Sequence, residues 1–127
     1  MAFTFRQLTV YQEARCFVKE VYALLDKFPV KEQYALCDQL RRAVVSIPSN
    51  VAEGMSRRSV KEQIHFLEIV YGSLMEVLCQ MELSQDLGYI TIEGYNQVEK
   101  RIETIAKLLS GLRSSLNNKQ KTLNPKL

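Results

Sequence analysis

The side chains in this sequence best suited to chemistry are two short runs of cations. Arg41-Arg42 and Arg57-Arg58, with Lys61 close behind, present guanidinium forks of the kind that grip phosphate with paired donors. Such a cluster gives salt-dependent, sequence-independent attraction to a polyanion. Lys100 and Arg101, followed by Lys107 and the last lysines, extend it if they share its face. The competing employment for each arginine pair is a salt bridge to Glu53, Glu68 or Glu76, inside one bundle or across a subunit boundary. Arg42 suits that role best, because its polar stripe continues through Ser46, Ser49 and Glu53. Six tyrosines (Tyr11, Tyr22, Tyr34, Tyr71, Tyr89 and Tyr95) have two employments as well. Exposed beside the arginines they would stack on bases. At a core edge or an interface they would bury the ring and keep the hydroxyl wet.

No set of residues reads as catalytic. Ser46, Ser49 and Asn50 are polar neighbours, but no general base lies nearby in sequence and the single histidine is His65. Together with Glu53 they read as a structural hydrogen-bonded network around Pro48. Glu62 and His65 reproduce the Glu-x-x-His spacing of di-iron bundles, which need two such motifs and two further glutamates. One histidine does not supply them, and no Cys/His cluster offers a zinc site. The expectation is a non-enzymatic protein with no metal and no cofactor.

These residues ride on four amphipathic segments. The first covers about 6–28, with Val10, Ala14, Phe17, Val21, Leu24 and Phe28 on one helical face and Pro29 ending it. The second covers about 30–52, its stripe being Leu36, Leu40, Ala43, Ile47 and Val51. Pro48 inside it predicts a kink, and Gly54 a left-handed C-terminal residue. The third opens at Ser59, which with Glu62 has capping-box spacing. Ile64, Leu67, Tyr71, Leu74, Leu78 and Met81 form its stripe, Phe66, Val70 and Val77 a second flank, and Gly72-Ser73 a point of close approach. That apolar arc is wider than a bundle core requires, which predicts self-association. Leu87-Gly88-Tyr89 ends the helix. The fourth starts after Thr91 and carries Tyr95, Val98, Ile102, Ile105, Leu109, Leu112 and Leu116. The expected fold is all-α, an antiparallel up-and-down four-helix bundle over 1–118, with a basic, flexible C-terminal tail over 119–127.

Composition bounds the setting. The chain has 127 residues, enough for one domain, and a mild net charge of +3. Its charge is lopsided: no Lys or Arg lies between Glu62 and Glu99, whereas Glu103 is the single acid from Lys100 onward. Lopsided charge makes a field that steers a partner or a second copy. Cys16, Cys37 and Cys79 show no C-x-x-C spacing and suit reduced thiols. The first residues lack a signal-peptide apolar region, and no uninterrupted apolar run approaches the roughly 18 residues of a membrane span. A cytoplasmic protein without membrane association is expected.

The run QLRRAVVSIPSNVAEG over residues 39–54 resembles the signature of a bacterial four-helix-bundle family. That family was first noted as open reading frames within intervening sequences of large-subunit ribosomal RNA genes. LTVYQEA over 8–14, FLEIVYGSLME over 66–76 and LGYI over 87–90 agree with it, so the resemblance covers nearly the whole chain before the tail. The one departure is Val51, where Ile is more usual. The resemblance implies a homopentameric ring of bundles with no enzymatic activity. A related branch, the accessory proteins of diversity-generating retroelements, forms basic pentamers that bind nucleic acid and a reverse transcriptase. By that likeness the protein is an accessory or scaffold that binds RNA or DNA. The competing expectation is a scaffold for a protein partner, with no nucleic acid involved.

Overall fold

The structure is a computed structural model that describes residues 3–123, with side chains as far as residue 121. Among the described residues there are four α-helices, two 3₁₀ turns and no strand. A 3₁₀ turn at Thr4–Gln7 leads into α1, Thr9–Leu25. A second at Val30–Glu32 precedes α2, Leu36–Met55. Then follow α3, Val60–Asp86, and α4, Ile92–Leu123.

Several helix ends follow from local chemistry. Ser59 Oγ accepts from the Glu62 amide at 3.3 Å and starts α3, and Thr91 Oγ1 accepts from the Gly94 amide at 3.0 Å before α4. At the end of α3, Gly88 takes a φ of 78°, and its amide and that of Tyr89 bond back to the carbonyls of Gln85 and Ser84. This is the paired closure that left-handed glycine permits. Gly54 behaves differently from its sequence expectation. It lies inside α2 with no positive φ, and a Cβ built there would fall 2.4 Å from Phe66 Cβ. Gly54 is therefore a point of close approach between α2 and α3. The expected approach point, Gly72-Ser73, is split: Ser73 Oγ meets Ser46 Oγ at 2.6 Å, while Gly72 faces outward.

Each helix packs on its neighbour in sequence, and α1 also packs on α4, closing the four into a bundle. The pairing is antiparallel. Gln80 reaches Gln39 while Ser46 meets Ser73, and Tyr95 reaches Glu82 while Arg113 reaches Glu68. The core holds Phe17, Leu25, Leu40, Ile47, Leu74, Met81 and Ile105, all essentially inaccessible to water. Leu25 rather than Leu24 completes the stripe of α1, because Phe28 turns inward only after the helix has ended. On α3 the flank Val70 and Val77 is buried, whereas Tyr71 from the expected stripe is 49% exposed.

The ends of the expected segments shift. α1 stops at Leu25, not Phe28. Gln33 Nε2 donates to the carbonyls of Leu25 (3.1 Å) and Phe28 (3.3 Å), satisfying groups that a longer helix would have used. α4 runs on to Leu123, past the expected boundary at 118, so the first residues of the expected tail are helical. Residues 124–127 lie outside the described residues. By length and composition α3 would also suffice to cross a bilayer. Glu68, Glu76 and Glu82 break its apolar runs without making the helix polar, so no uninterrupted apolar run marks it in the sequence. In the bundle its inner side supplies core residues, yet only 33% of its eighteen most apolar consecutive residues are buried.

Candidate nucleic-acid interface

The candidate cations separate into two that are tied down and five that reach solvent. Arg41 Nη1 lies 3.0 Å from both the Gln33 carbonyl and Asp38 Oδ1, and its Nη2 donates to Gln33 Oε1 at 2.6 Å. Since Gln33 in turn caps α1, Arg41 is a clamp that fastens the α1–α2 connection onto α2. Arg101 bridges Glu13 and Glu20 across the α1–α4 seam, bonding to both carboxylates. Its guanidinium is held above its ordinary pKa chiefly by the hydrogen bond to Glu20, a direction that deepens its commitment to the cationic form. With donors so engaged, neither arginine is available to phosphate in the way the sequence pairing implied.

The other five are exposed: Arg42, Arg57, Arg58, Lys61 and Lys100. Arg57 is partly engaged, with Nη2 2.9 Å from Glu53 Oε1 and its guanidinium 5.1 Å from the centre of the Phe66 ring. Both groups remain about half exposed, so this ion pair contributes little to stability and leaves donors free. Glu53 thus pairs with Arg57 instead of joining the polar network around Pro48. That network otherwise stands. Ser49 Oγ donates to the Val45 carbonyl at 2.8 Å and Asn50 Nδ2 to the Ser46 carbonyl at 2.8 Å. Ser46 Oγ lies 2.7 Å from the Ala43 carbonyl. α2 passes through Pro48 without interruption.

The α2–α3 turn is built to hold its cations in place. Phe66 fills the space that Gly54 leaves open, and Gln63 Nε2 donates to the Arg57 carbonyl at 2.9 Å. The Arg57 amide bonds to the Gly54 carbonyl at 3.1 Å. Arg58 and Lys61 project from this turn, and no acidic partner for either is found among the described residues. Antiparallel topology brings more charge to the same end. The start of α1 with Arg6 lies there, as does the end of α4 with Lys119 and Lys121, since Arg113 already stands opposite Glu68. The opposite end carries Asp26, Glu32, Asp86 and Glu93 against Lys27 and Lys31. The lopsided charge of the sequence becomes a dipole along the bundle axis.

Not every candidate reaches this end. Arg42 sits 15 residues before Arg57 on α2, roughly 22 Å away at 1.5 Å per residue. Lys100 lies beside the α1–α4 seam, about 30 Å along the axis from Lys121 by the same rise. Sequence reading passed over Arg6, which only the antiparallel arrangement brings close. Among the described residues no three or more His, Cys, Asp or Glu side chains gather as a metal site. His65 and Glu62 are both exposed, and His65 sets its ring edge against Phe66 at 6.1 Å between centroids.

The described residues thus form a bundle of four antiparallel helices with one basic end. Residues 6–111 match the model of the 23S rRNA-intervening sequence protein family, and the chain belongs to that family. A solved structure is similar to it: a protein of unknown function from the S23 ribosomal protein family of Bacteroides thetaiotaomicron. The two share 28% sequence identity and a TM-score of 0.75, over 83% of this chain and 98% of that one. No curated protein matches the chain.

Proposed function

We propose that the protein is a non-enzymatic, cytoplasmic accessory protein that binds structured RNA or DNA through its basic end and acts as a homo-oligomer. The observation that carries the reading is the α2–α3 turn, where Arg58 and Lys61 stand exposed, away from any acidic partner among the described residues, on a braced scaffold. Arg6, Lys119 and Lys121 share their end of the bundle. A fixed array of cations releases counterions from a phosphate backbone without needing base contacts. Likeness to the family supports a ring, with five subunits as the expected number.

The test is fluorescence anisotropy of structured RNA and of duplex DNA across a range of salt, with wild type and Arg58→Ala/Lys61→Ala. Loss of two phosphate contacts should lower the slope of log K against log salt by about 2 and weaken binding about tenfold or more. Absence of binding at low salt would sink the nucleic-acid reading. A second reading, a protein scaffold without nucleic acid, has its own support in the apolar residues that α3 leaves outside the core, Ile69 at 38% and Leu83 at 47% exposure.

A further inference from the structure

Two further surfaces are apolar, exposed and opposite in charge. The first is a groove of about 710 Å³ between α1 and α2. Tyr11 and Val18 line one wall, and Val45, Pro48 and Ala52 the other. Its cations are Arg15 and Lys19, and no acidic residue lines it. The two acids on the outer side of α2 are already paired, Asp38 with Arg41 and Glu53 with Arg57. Val45, 40% exposed, stands in the middle of this face.

The second is a ridge on α3. Ile69, Glu76 and Leu83 recur every seven residues and so form one stripe along the helix. It is the stripe turned away from the core, since Leu67, Leu74 and Met81 occupy the matching positions inside. Cys79 is exposed beside it, and Gly72, with nothing within 4 Å of a built Cβ, keeps its middle low. After Lys61 this helix carries no cation, and Glu76 is the acid on the stripe itself, Glu68 and Glu82 turning toward α4 to meet Arg113 and Tyr95.

We propose that the α3 ridge of one copy seats in the α1–α2 groove of the next, joining copies head to tail. This rests on the homo-oligomer part of the proposed function and names the surfaces involved. A groove meeting its own copy would bring Arg15 and Lys19 against themselves, and a ridge meeting its own copy would bring Glu76 against Glu76. Like charges in contact disfavour both symmetric pairings, while ridge in groove sets carboxylate against guanidinium and ammonium around an apolar centre. Contact between two different surfaces propagates from copy to copy and closes as a ring, or extends as a filament if the rotation does not close. It leaves the Arg58–Lys61 turn free for a polyanion.

The experiment uses two variants at exposed positions, Val45→Asp in the groove and Ile69→Lys/Leu83→Lys on the ridge. Helix content and thermal midpoint, compared with wild type, verify that each folds. Masses are measured by analytical ultracentrifugation. Each variant alone should be monomeric, and an equimolar mixture should give a one-to-one dimer, because one intact ridge and one intact groove remain between them. In wild type, a short bis-maleimide should produce a ladder of adducts joining Cys16, which lines the groove, to Cys79. Cys16→Ser or Cys79→Ser should each abolish the ladder. A wild type that stays monomeric at every concentration would overturn the homo-oligomer reading and this pairing with it. An oligomer unchanged by both variants would overturn the pairing alone, as would monomeric variants that do not pair when mixed, or adducts joining only like cysteines.

Discussion

The α1–α4 seam and the α2–α3 turn use the same residue types to opposite ends. On the seam, Arg101 sits 28% exposed between Glu13 and Glu20, and its charge is spent holding two helices together. At the turn, Arg58 and Lys61 have no acidic partner among the described residues. What is fixed there is the backbone beneath them, by Gly54 against Phe66 and by Gln63 on the Arg57 carbonyl. An arginine becomes structural when helix packing brings carboxylates to its fork, and remains available when it projects from a short, well-braced connection. Substitutions on the two sides should therefore divide cleanly between stability and binding.

The largest effect is expected at the brace itself. Gly54→Ala places a methyl 2.4 Å from Phe66 Cβ, an atom fixed directly to the α3 backbone and not the flexible end of a side chain. Forced separation of α2 and α3 should cost about 3 kcal/mol, the upper end for overpacking. Urea unfolding monitored by circular dichroism measures it, and a loss below about 1 kcal/mol would mean that the helices part more easily than the geometry implies. Arg101→Ala comes next. It removes one cation from two glutamates in a half-buried seam and should cost about 2 kcal/mol while leaving RNA affinity unchanged. Arg58→Ala is its mirror image, with stability within about 0.5 kcal/mol of wild type and affinity reduced. If Arg101→Ala weakened RNA binding as much as Arg58→Ala, the division between seam and turn would fail.

The sequence shows the four helices plainly, because three-and-four spacing needs nothing beyond the helix itself. Ser59, Thr91 and Gly88 announce helix ends by local hydrogen bonding, and all three act as expected. The reading falters where the partner is remote. Arg101 meets glutamates 81 and 88 residues away, so its capture is invisible in a window of one helix. Arg41 is claimed by Gln33, which follows a helix that stops at Leu25 instead of Phe28. On α3, apolar residues lie on both flanks of the stripe, and spacing alone does not say whether Tyr71 or Val70 turns inward. Gly54 reads as a helix end because glycine so often serves there. Only the position of Phe66 shows that its missing side chain is what matters.

A further effect is expected at the opposite end of the bundle, where the hydroxyls of Tyr89 and Tyr95 bond to carboxylates. The Tyr95 hydroxyl stands 3.2 Å from Glu82 Oε1 and 3.1 Å from Glu99 Oε2, and the ring is almost fully buried. Burial first, then the bonds to Glu99 and Glu82, holds the phenol well above its ordinary value of 10.0. Tyr89 is raised too, chiefly by its hydrogen bond to Glu32, and the Cys37 thiol is raised by burial. In each case the folded protein holds a proton that the unfolded chain releases sooner. Their stabilisation is therefore complete below the unfolded values and declines as pH rises from about 9 for Cys37 and about 10 for the tyrosines. Tyr95→Phe removes one titrating group, so between pH 10 and 11 it should lose about 1 kcal/mol less than wild type, just under the limit of one proton per molecule. Urea midpoints across that interval measure the difference. Equal losses in both proteins would mean that Tyr95 ionises as freely in the bundle as in the unfolded chain, and that carboxylates bind this end no more firmly than water does.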